Sequence, residues 1–352
     1  MDERIESTML MKTQGWTLRE NRPSSSNNDS DQLDNKTKLI KVQYTYIYGV
    51  AFHVDGKHVA SGNDKGQIQR WRVEDGEEVG TPMDAGSGGV LSIAMSRDGK
   101  WIVSGTEKGA VTVWNAQSLK KLTEFGEDTG RCAVRAVDIS PDGTRIASGS
   151  DGWALRLWSL STHPPVGQRL LASVNHGSFV IAAKFSPDGR VIATANVDSV
   201  RVYSSQNGPG RLLMEVPIRV NSLFNNSLAW TSDSKQLFIL SLDGNIHCLD
   251  ASTGITLSKW PIHCSKDAQC IVLARSGTLI AASAGRSVSF WNTTTHEQVG
   301  SVIEFTHYIK TMAISANADL AVSGDNKITL RILCDIIPSS YFDVVSAVAL
   351  SV

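Results

Sequence analysis

The chain has 352 residues, 41% hydrophobic and 20% charged, enough apolar material to bury a sizeable core. Its 34 Lys and Arg against 35 Asp and Glu leave a net charge of −1, which removes any global electrostatic case for nucleic acid or an anionic membrane. No run approaches the roughly 18 apolar residues needed to cross a bilayer. Met1–Glu3 opens with acid and no apolar stretch follows as in a secretory signal, so an intracellular protein, cytoplasmic or nuclear, is expected.

Residues 1–37 form the first unit in chain order. Asn21–Asn35 is mostly Ser, Asn and Asp, too polar to bury enough surface to offset ordering, and a disordered tail is expected there, with Trp16 as the one seat for a short ligand motif. Leu39–Gln43 is a short alternating strand. The cysteines that follow, Cys132, Cys248, Cys264, Cys270 and Cys334, are odd in number, widely spaced and lack a C-x-x-C pair, so reduced thiols are expected.

From residue 38 onward the chain repeats itself. One landmark is a turn, Val54-Asp55-Gly56, Arg97-Asp98-Gly99, Pro141-Asp142-Gly143 and Pro187-Asp188-Gly189, with weaker copies near Ser234, Gly277 and Asp319. Asp-Gly between alternating apolar runs is a strong hairpin signal and predicts a tight primed turn. The other landmark is a large residue ending an alternating strand: Trp71, Trp114, Trp158, Tyr203, Leu249, Trp291 and, in the last copy, Arg331. Both landmarks recur every 40 to 46 residues, although their chemistry differs. Between them each unit reads as strands. In the third copy Val134–Ile139, Arg145–Gly149 and Leu155–Trp158 alternate, and fourth strands are expected at stretches such as Lys120–Phe125 and Leu212–Val216. Four antiparallel strands per unit make one propeller blade. The expected fold is all-β, a seven-bladed propeller over 38–352, with blade cores near 47–71, 90–114, 134–158, 180–203, 225–249, 268–291 and 309–331.

Phrases such as Val134–Ser159 and Val180–Ser204 resemble repeats of the WD40 family, and the likeness covers roughly residues 38–345. The Trp-Asp pair itself is never intact: Trp71, Trp114, Trp158 and Trp291 keep the Trp, and only Leu249-Asp250 keeps the Asp. The family's Gly-His signal survives as His176, as His307 and, more weakly, as His263. Its network of Trp, Ser or Thr, His and Asp is complete in no blade, and blade 7 keeps His307, Ser323 and Asp325 with Arg331 in place of Trp. The resemblance implies that each large residue packs between blades, and that Leu39–Gln43 closes the ring as the outer strand of blade 7. Val345–Ser351 repeats the opening of a blade, as a closing strand or the start of an eighth unit.

No catalytic constellation is present: no Walker loop, no G-x-S-x-G elbow and no H-E-x-x-H. Gly86–Gly89 follows no strand-to-helix context, His296-Glu297 lacks a second His, and the eight scattered His predict no metal and no cofactor. The repeated Asp residues belong to turns, where their side chains bond nearby backbone. A binding platform for other proteins or peptide segments is therefore expected, with no nucleic acid, no membrane and no enzymatic activity, as a monomer or within a hetero-complex. The resemblance places the working surface on the rim shared by the strand 2–3 turns and the inter-blade connections. That rim carries Asp64, Lys65, Glu107, Lys108, Arg131, Asp151, Trp153, His176, Arg286, Tyr308 and Asn326. Trp153 stands out, since a tight turn has little use for Trp unless the ring packs on a neighbour or anchors a partner. Two alternatives stay open. One is an enzyme with its site in the central channel, against which the small apolar first strands (Ala136, Ile139, Ala182, Ala183) argue. The other is a detached sensor module like the WD40 arrays of nucleotide-binding receptors.

Overall fold

The alternating runs become strands that pair antiparallel into seven separate sheets. A computed structural model describes residues 37–41, 46–86, 88–126, 132–160, 168–169, 174–205, 210–220, 226–262, 268–274, 276–315, 319–324, 327–333, 337–338 and 341. The expectations for the 1–36 tail and for Val345–Ser351 lie outside these residues. Blade 3 is representative, with strands Val134–Ile139, Arg145–Ser150, Ala154–Ser159 and Gln168–Arg169, and with Val174–Asn175 also paired to its third strand. The blades on either side have the same order, first strand to fourth, from Val90–Met95 to Lys121–Gly126 and from Ala182–Phe185 to Leu212–Val216.

One register holds throughout. The second residue of each second strand faces the landmark residue: Val59 opposite Trp71, Ile102 opposite Trp114, Ile146 opposite Trp158 and Ile192 opposite Tyr203. Leu237 opposite Leu249, Ile280 opposite Trp291 and Leu320 opposite Arg331 continue it. Each large residue packs onto the preceding blade. Trp114 lies against Ile68 and Met83 of blade 1, and Trp158 against Val111 and Phe125 of blade 2, its ring stacked on Phe125 at 5.0 Å. Tyr203 meets Leu155 and Leu157, Leu249 meets Val202 and Met214, Trp291 meets Phe238 and Trp260, and Trp71 meets Ile328 and Leu330 of blade 7. In blade 7, where Arg331 takes the landmark position, Leu333 and Ile337 supply the contact with Phe290 of blade 6 instead.

A buried indole N–H needs an acceptor, and the repeat provides one. Trp71, Trp114 and Trp158 donate from Nε1 to Oγ of Ser61, Ser104 and Ser148 at 2.8, 3.0 and 2.9 Å. In blade 6 the corresponding residue is Ala282, and Trp291 turns to Ser289 of its own strand at 2.9 Å. The glycine after each serine serves the next blade. A Cβ on Gly62, Gly105 or Gly149 would stand 2.5–2.6 Å from Cγ1 of Val90, Val134 or Val180.

The Asp-Gly turns differ from the primed hairpins expected. In blade 3 the Ser140 N–H donates to the Arg145 carbonyl at 2.8 Å, enclosing a four-residue loop. Only its glycine is left-handed: Gly143 has φ 70° and Asp142 is not among the positive-φ residues. Asp142 Oδ1 accepts the Thr144 N–H at 3.0 Å and the Ser140 hydroxyl at 2.5 Å. The aspartate thus folds the loop by side-chain bonding, so a second positive φ is not required.

Thr37–Lys41 pairs antiparallel with Lys327–Ile332 and completes blade 7 from the other end of the chain. The last described residues return to blade 6, where the Tyr341 carbonyl accepts from Ser276 Oγ at 2.8 Å.

Trp158→Ala should lower unfolding free energy by about 3–5 kcal/mol. Ser148→Ala should cost less, about 1–3 kcal/mol, by orphaning the indole N–H. Denaturant titration of both variants checks the ranking, and equal losses would contradict the bond's role.

Candidate docking rim

The strand 2–3 turns and the inter-blade connections meet on one rim because their backbones bond to each other. Ala85 N–H donates to the Gly66 carbonyl at 2.8 Å, Glu107 to Gly89 at 2.8 Å, and Asp151 to Ala133 at 2.9 Å. Phe305 N–H reaches the Arg286 carbonyl at 2.8 Å, and Ile309 reaches Gly285 at 2.9 Å. This rim gathers Tyr46, Trp153, Phe179, Leu242 and Tyr308, each 41–51% exposed. Other exposed large apolar side chains lie elsewhere: Leu212 and Leu213 on one outer strand, Leu257 on another with Ile255 just before it, and Val54 on the opposite rim.

Trp153 is held in a conformation that Trp seldom adopts. Its φ is 62°, in the left-handed region, and the same turn position in blades 1, 2 and 5 is Gly66, Gly109 and Gly244, with φ of 80°, 88° and 76°. A non-glycine residue there costs roughly 1–2 kcal/mol. Full burial does not offset the strain, since Trp153 is 47% exposed. The neighbouring connection is tied beneath it, with the His176 N–H donating to the Trp153 carbonyl at 2.8 Å.

Charges on the rim hold its aromatic groups in place. The Arg286 guanidinium lies 5.1 Å from the centre of the Tyr308 ring, and Lys310 Nζ lies 4.1 and 5.0 Å from the rings of Tyr46 and Tyr48. Burial pushes the Tyr48 phenol up, and the Asp64 and Glu107 carboxylates add to the shift. Asp151 is ion-paired with Arg135, whose Nη2 donates to it at 2.9 Å. Lys65, Glu107 and Lys108 are exposed at the turn tips of blades 1 and 2. Arg131, Asp325 and Asn326 lie outside the described residues.

The central channel is asymmetric. Towards this rim it narrows to a void of about 10 Å³ lined by Gly49, Ser92, Ala136, Ala183 and Thr311, and Asn226 reaches across to Thr311 Oγ1 at 3.0 Å. Towards the opposite rim it opens into a cavity of about 400 Å³ lined by apolar residues including Phe52, Met95, Phe185 and Trp230. Among the described residues its ionisable groups are Arg97, Asp138 and Lys184. Asp138 accepts the Phe185 N–H at 2.7 Å and sits 3.6 Å from Lys184 Nζ, while burial pushes its carboxyl up.

The WD domain, G-beta repeat (WD40) family matches residues 37–72, 76–115 and 119–159. The crystal structure of the Myceliophteria thermophila Cps50 (Swd1) beta-propeller domain superposes with a TM-score of 0.69 at 17% identity, covering 83% of this chain and 98% of that one. Residues 37–159 of the chain carry WD40 repeats. A search of curated protein sequences found no match. The family match spans the first three blades, where Trp, Ser and Gly all keep their places.

Within this WD40 ring one rim residue is corrected. His176 is 3% exposed and cannot offer its ring to a partner. It belongs to the interior of blade 4, with Nε2 3.4 Å from Thr194 Oγ1 and its ring 5.3 Å from Tyr203. The connection is tied on both sides of the histidine: its N–H donates to the Trp153 carbonyl, and its carbonyl accepts from Asn196 Nδ2 at 3.4 Å and Arg201 Nη1 at 3.2 Å in blade 4. In blade 7 His307 is likewise buried, and the side chain of Ser323 lies outside the described residues. Sequence reading missed Tyr46, Phe179 and Leu242. Their signal was position alone, each being a large apolar residue in a connection or turn. Asp138 and Lys184 were missed too, although they hold the same repeat position, four residues after Val134 and Val180.

Burial and the nearby Arg201 lower the His176 pKa to about 4, against 6.5 for a free imidazole. The folded state therefore resists a proton that the unfolded chain accepts. Full stability holds above pH 6.5 and falls as pH drops towards 4, by on the order of 3 kcal/mol in all. His176→Gln should flatten this part of the stability–pH curve, as chemical denaturation at pH 7, 6 and 5 would reveal.

Proposed function

We propose that this WD40 propeller is a non-enzymatic scaffold that holds peptide segments or domains of other proteins on the rim carrying Trp153. The WD40 propeller is generally an interaction fold, which supports this reading. The observation that carries the finer reading is Trp153 itself, a half-exposed ring kept in a left-handed turn where sister blades place glycine. Strain retained at a half-exposed residue is characteristic of a functional position. Phe179, Tyr308 and Tyr46 extend the apolar surface, while Lys65, Lys108, Asp64, Asp151 and Arg286 supply a polar border of both signs, the layout of a protein-binding patch. The cations over Tyr46 and Tyr308 reduce the ordering cost of binding. Membership of a hetero-complex is part of this reading. Among the described residues no helix is long and apolar enough to cross a membrane.

Trp153→Gly separates the two roles. Relief of the turn should leave stability unchanged or raise it by up to about 1 kcal/mol, because glycine suits the positive φ. Partner capture from an extract of the native cell should be lost in Trp153→Gly, weakened in Tyr308→Ala and retained in Val54→Ser on the opposite rim. Identical partners across all three variants would overturn the proposal, as would turnover of a small substrate that a single rim change abolishes.

A further inference from the structure

The first turn of blade 1 departs from its sister turns in its chemistry. The His53 N–H donates to the His58 carbonyl at 2.9 Å, as Ser96 does to Trp101, Ser140 to Arg145, Ser186 to Val191 and Thr231 to Gln236. In those four turns the hydroxyl of the first residue donates to the turn aspartate, at 2.5–2.7 Å. Blade 1 alone places imidazoles at both ends of the loop. Nδ1 of His53 lies 3.0 Å and Nδ1 of His58 2.9 Å from Asp55 Oδ2, and the three donor atoms fall within 4.8 Å of one another.

We infer that His53, Asp55 and His58 form a binding site for a divalent transition-metal ion, Zn²⁺ foremost, with a fourth position open to solvent. Two imidazoles and one carboxylate are a borderline donor set suited to Zn²⁺ or Cu²⁺, and unlike the all-oxygen shells of Mg²⁺ and Ca²⁺. Tetrahedral Zn²⁺ with bonds of about 2.0–2.2 Å has ligand-to-ligand edges of roughly 3.3 Å. The two edges to Asp55 Oδ2 therefore need to open by only a few tenths of an ångström, and the two imidazole nitrogens lie within 4.8 Å of each other. Nε2 of His53 is 3.1 Å from the Gly99 carbonyl, which can only accept, so the ring proton sits on Nε2; the Nδ1 lone pair faces the turn, where it accepts the Asp55 N–H at a long 3.3 Å that an ion would displace. A backbone carbonyl behind a ligating His is the usual arrangement for fixing its tautomer. Asp55 spends Oδ1 on the Lys57 N–H at 2.7 Å, which leaves Oδ2 for an ion. Arg70, which senses the Asp55 charge, donates Nη1 to the Ala116 carbonyl at 2.9 Å. The ligand side chains are 21–33% exposed, so an ion can enter from solvent. The site lies on the rim opposite Trp153, where His53 lines a wide mouth of about 650 Å³.

The test uses the tag-free full chain, titrated with Zn²⁺ by calorimetry and with Co²⁺ by visible absorption. One saturable equivalent is expected, with a tetrahedral Co²⁺ spectrum and a melting temperature that rises on adding metal. His53→Ser recreates the turn of the sister blades, so it should fold normally yet lose the site. Asp55→Asn and His58→Gln should each weaken binding by at least about tenfold, and His296→Gln should leave it intact. Absence of a saturable equivalent in the wild type would overturn the inference. So would undiminished binding in His53→Ser, which would place the ion elsewhere.

Discussion

Blades 1 to 6 each reach the one before through a side chain at the same register position, blade 7 does so two and six residues later, and the ring exists only because that contact is made around the whole circle. A four-stranded sheet with two apolar faces has nowhere to bury them by itself. Trp114, Trp158 and Trp291 fill the gap to the preceding blade with indole, and Tyr203 and Leu249 fill it with what their neighbours leave room for. The serine that accepts the indole proton and the glycine that admits the next first strand are consequences of that contact. Where a blade changes one term, another moves. Ala282 sends the Trp291 indole to Ser289, and Arg331 leaves the apolar contact to Leu333 and Ile337.

Closing such a ring creates two unlike ends. First strands run from the connection rim to the turn rim, so their small early residues crowd the channel at one end while larger later ones line a wider opening at the other. The narrow end supports the aromatic rim around Trp153, and the wide end borders His53. The scaffold thus offers two chemically different surfaces, one apolar with cations over its rings, the other a mouth edged by imidazole and carboxylate.

The repeat also sets the standard against which exceptions acquire meaning. Trp153 is unusual because Gly66, Gly109 and Gly244 hold its position elsewhere. His53 is unusual because serine or threonine holds its position in four other turns. In both cases a residue poorly suited to the local backbone or hydrogen-bond pattern persists at the surface.

The sequence alone determined the all-β class, the seven-unit period and the landmark positions, because period-2 alternation and turn chemistry are local and recur along the chain. The closing strand came from the family resemblance, at Leu39–Gln43, and the tertiary structure sets it at Thr37–Lys41. The sequence also placed Trp153 on a turn, while the family resemblance put Lys108, Asp151 and Tyr308 on the same rim. Only the tertiary structure decided which rim residues face solvent. His176 shares its connection with exposed Phe179 yet turns inward, because that choice depends on contacts with Thr194 and Tyr203 far along the chain. The Asp138–Lys184 pair needs two blades side by side, and the tautomer of His53 needs the Gly99 carbonyl of the neighbouring blade. Such pairings span some forty-six residues in each case, beyond the reach of any local pattern, and they form only when the ring has closed.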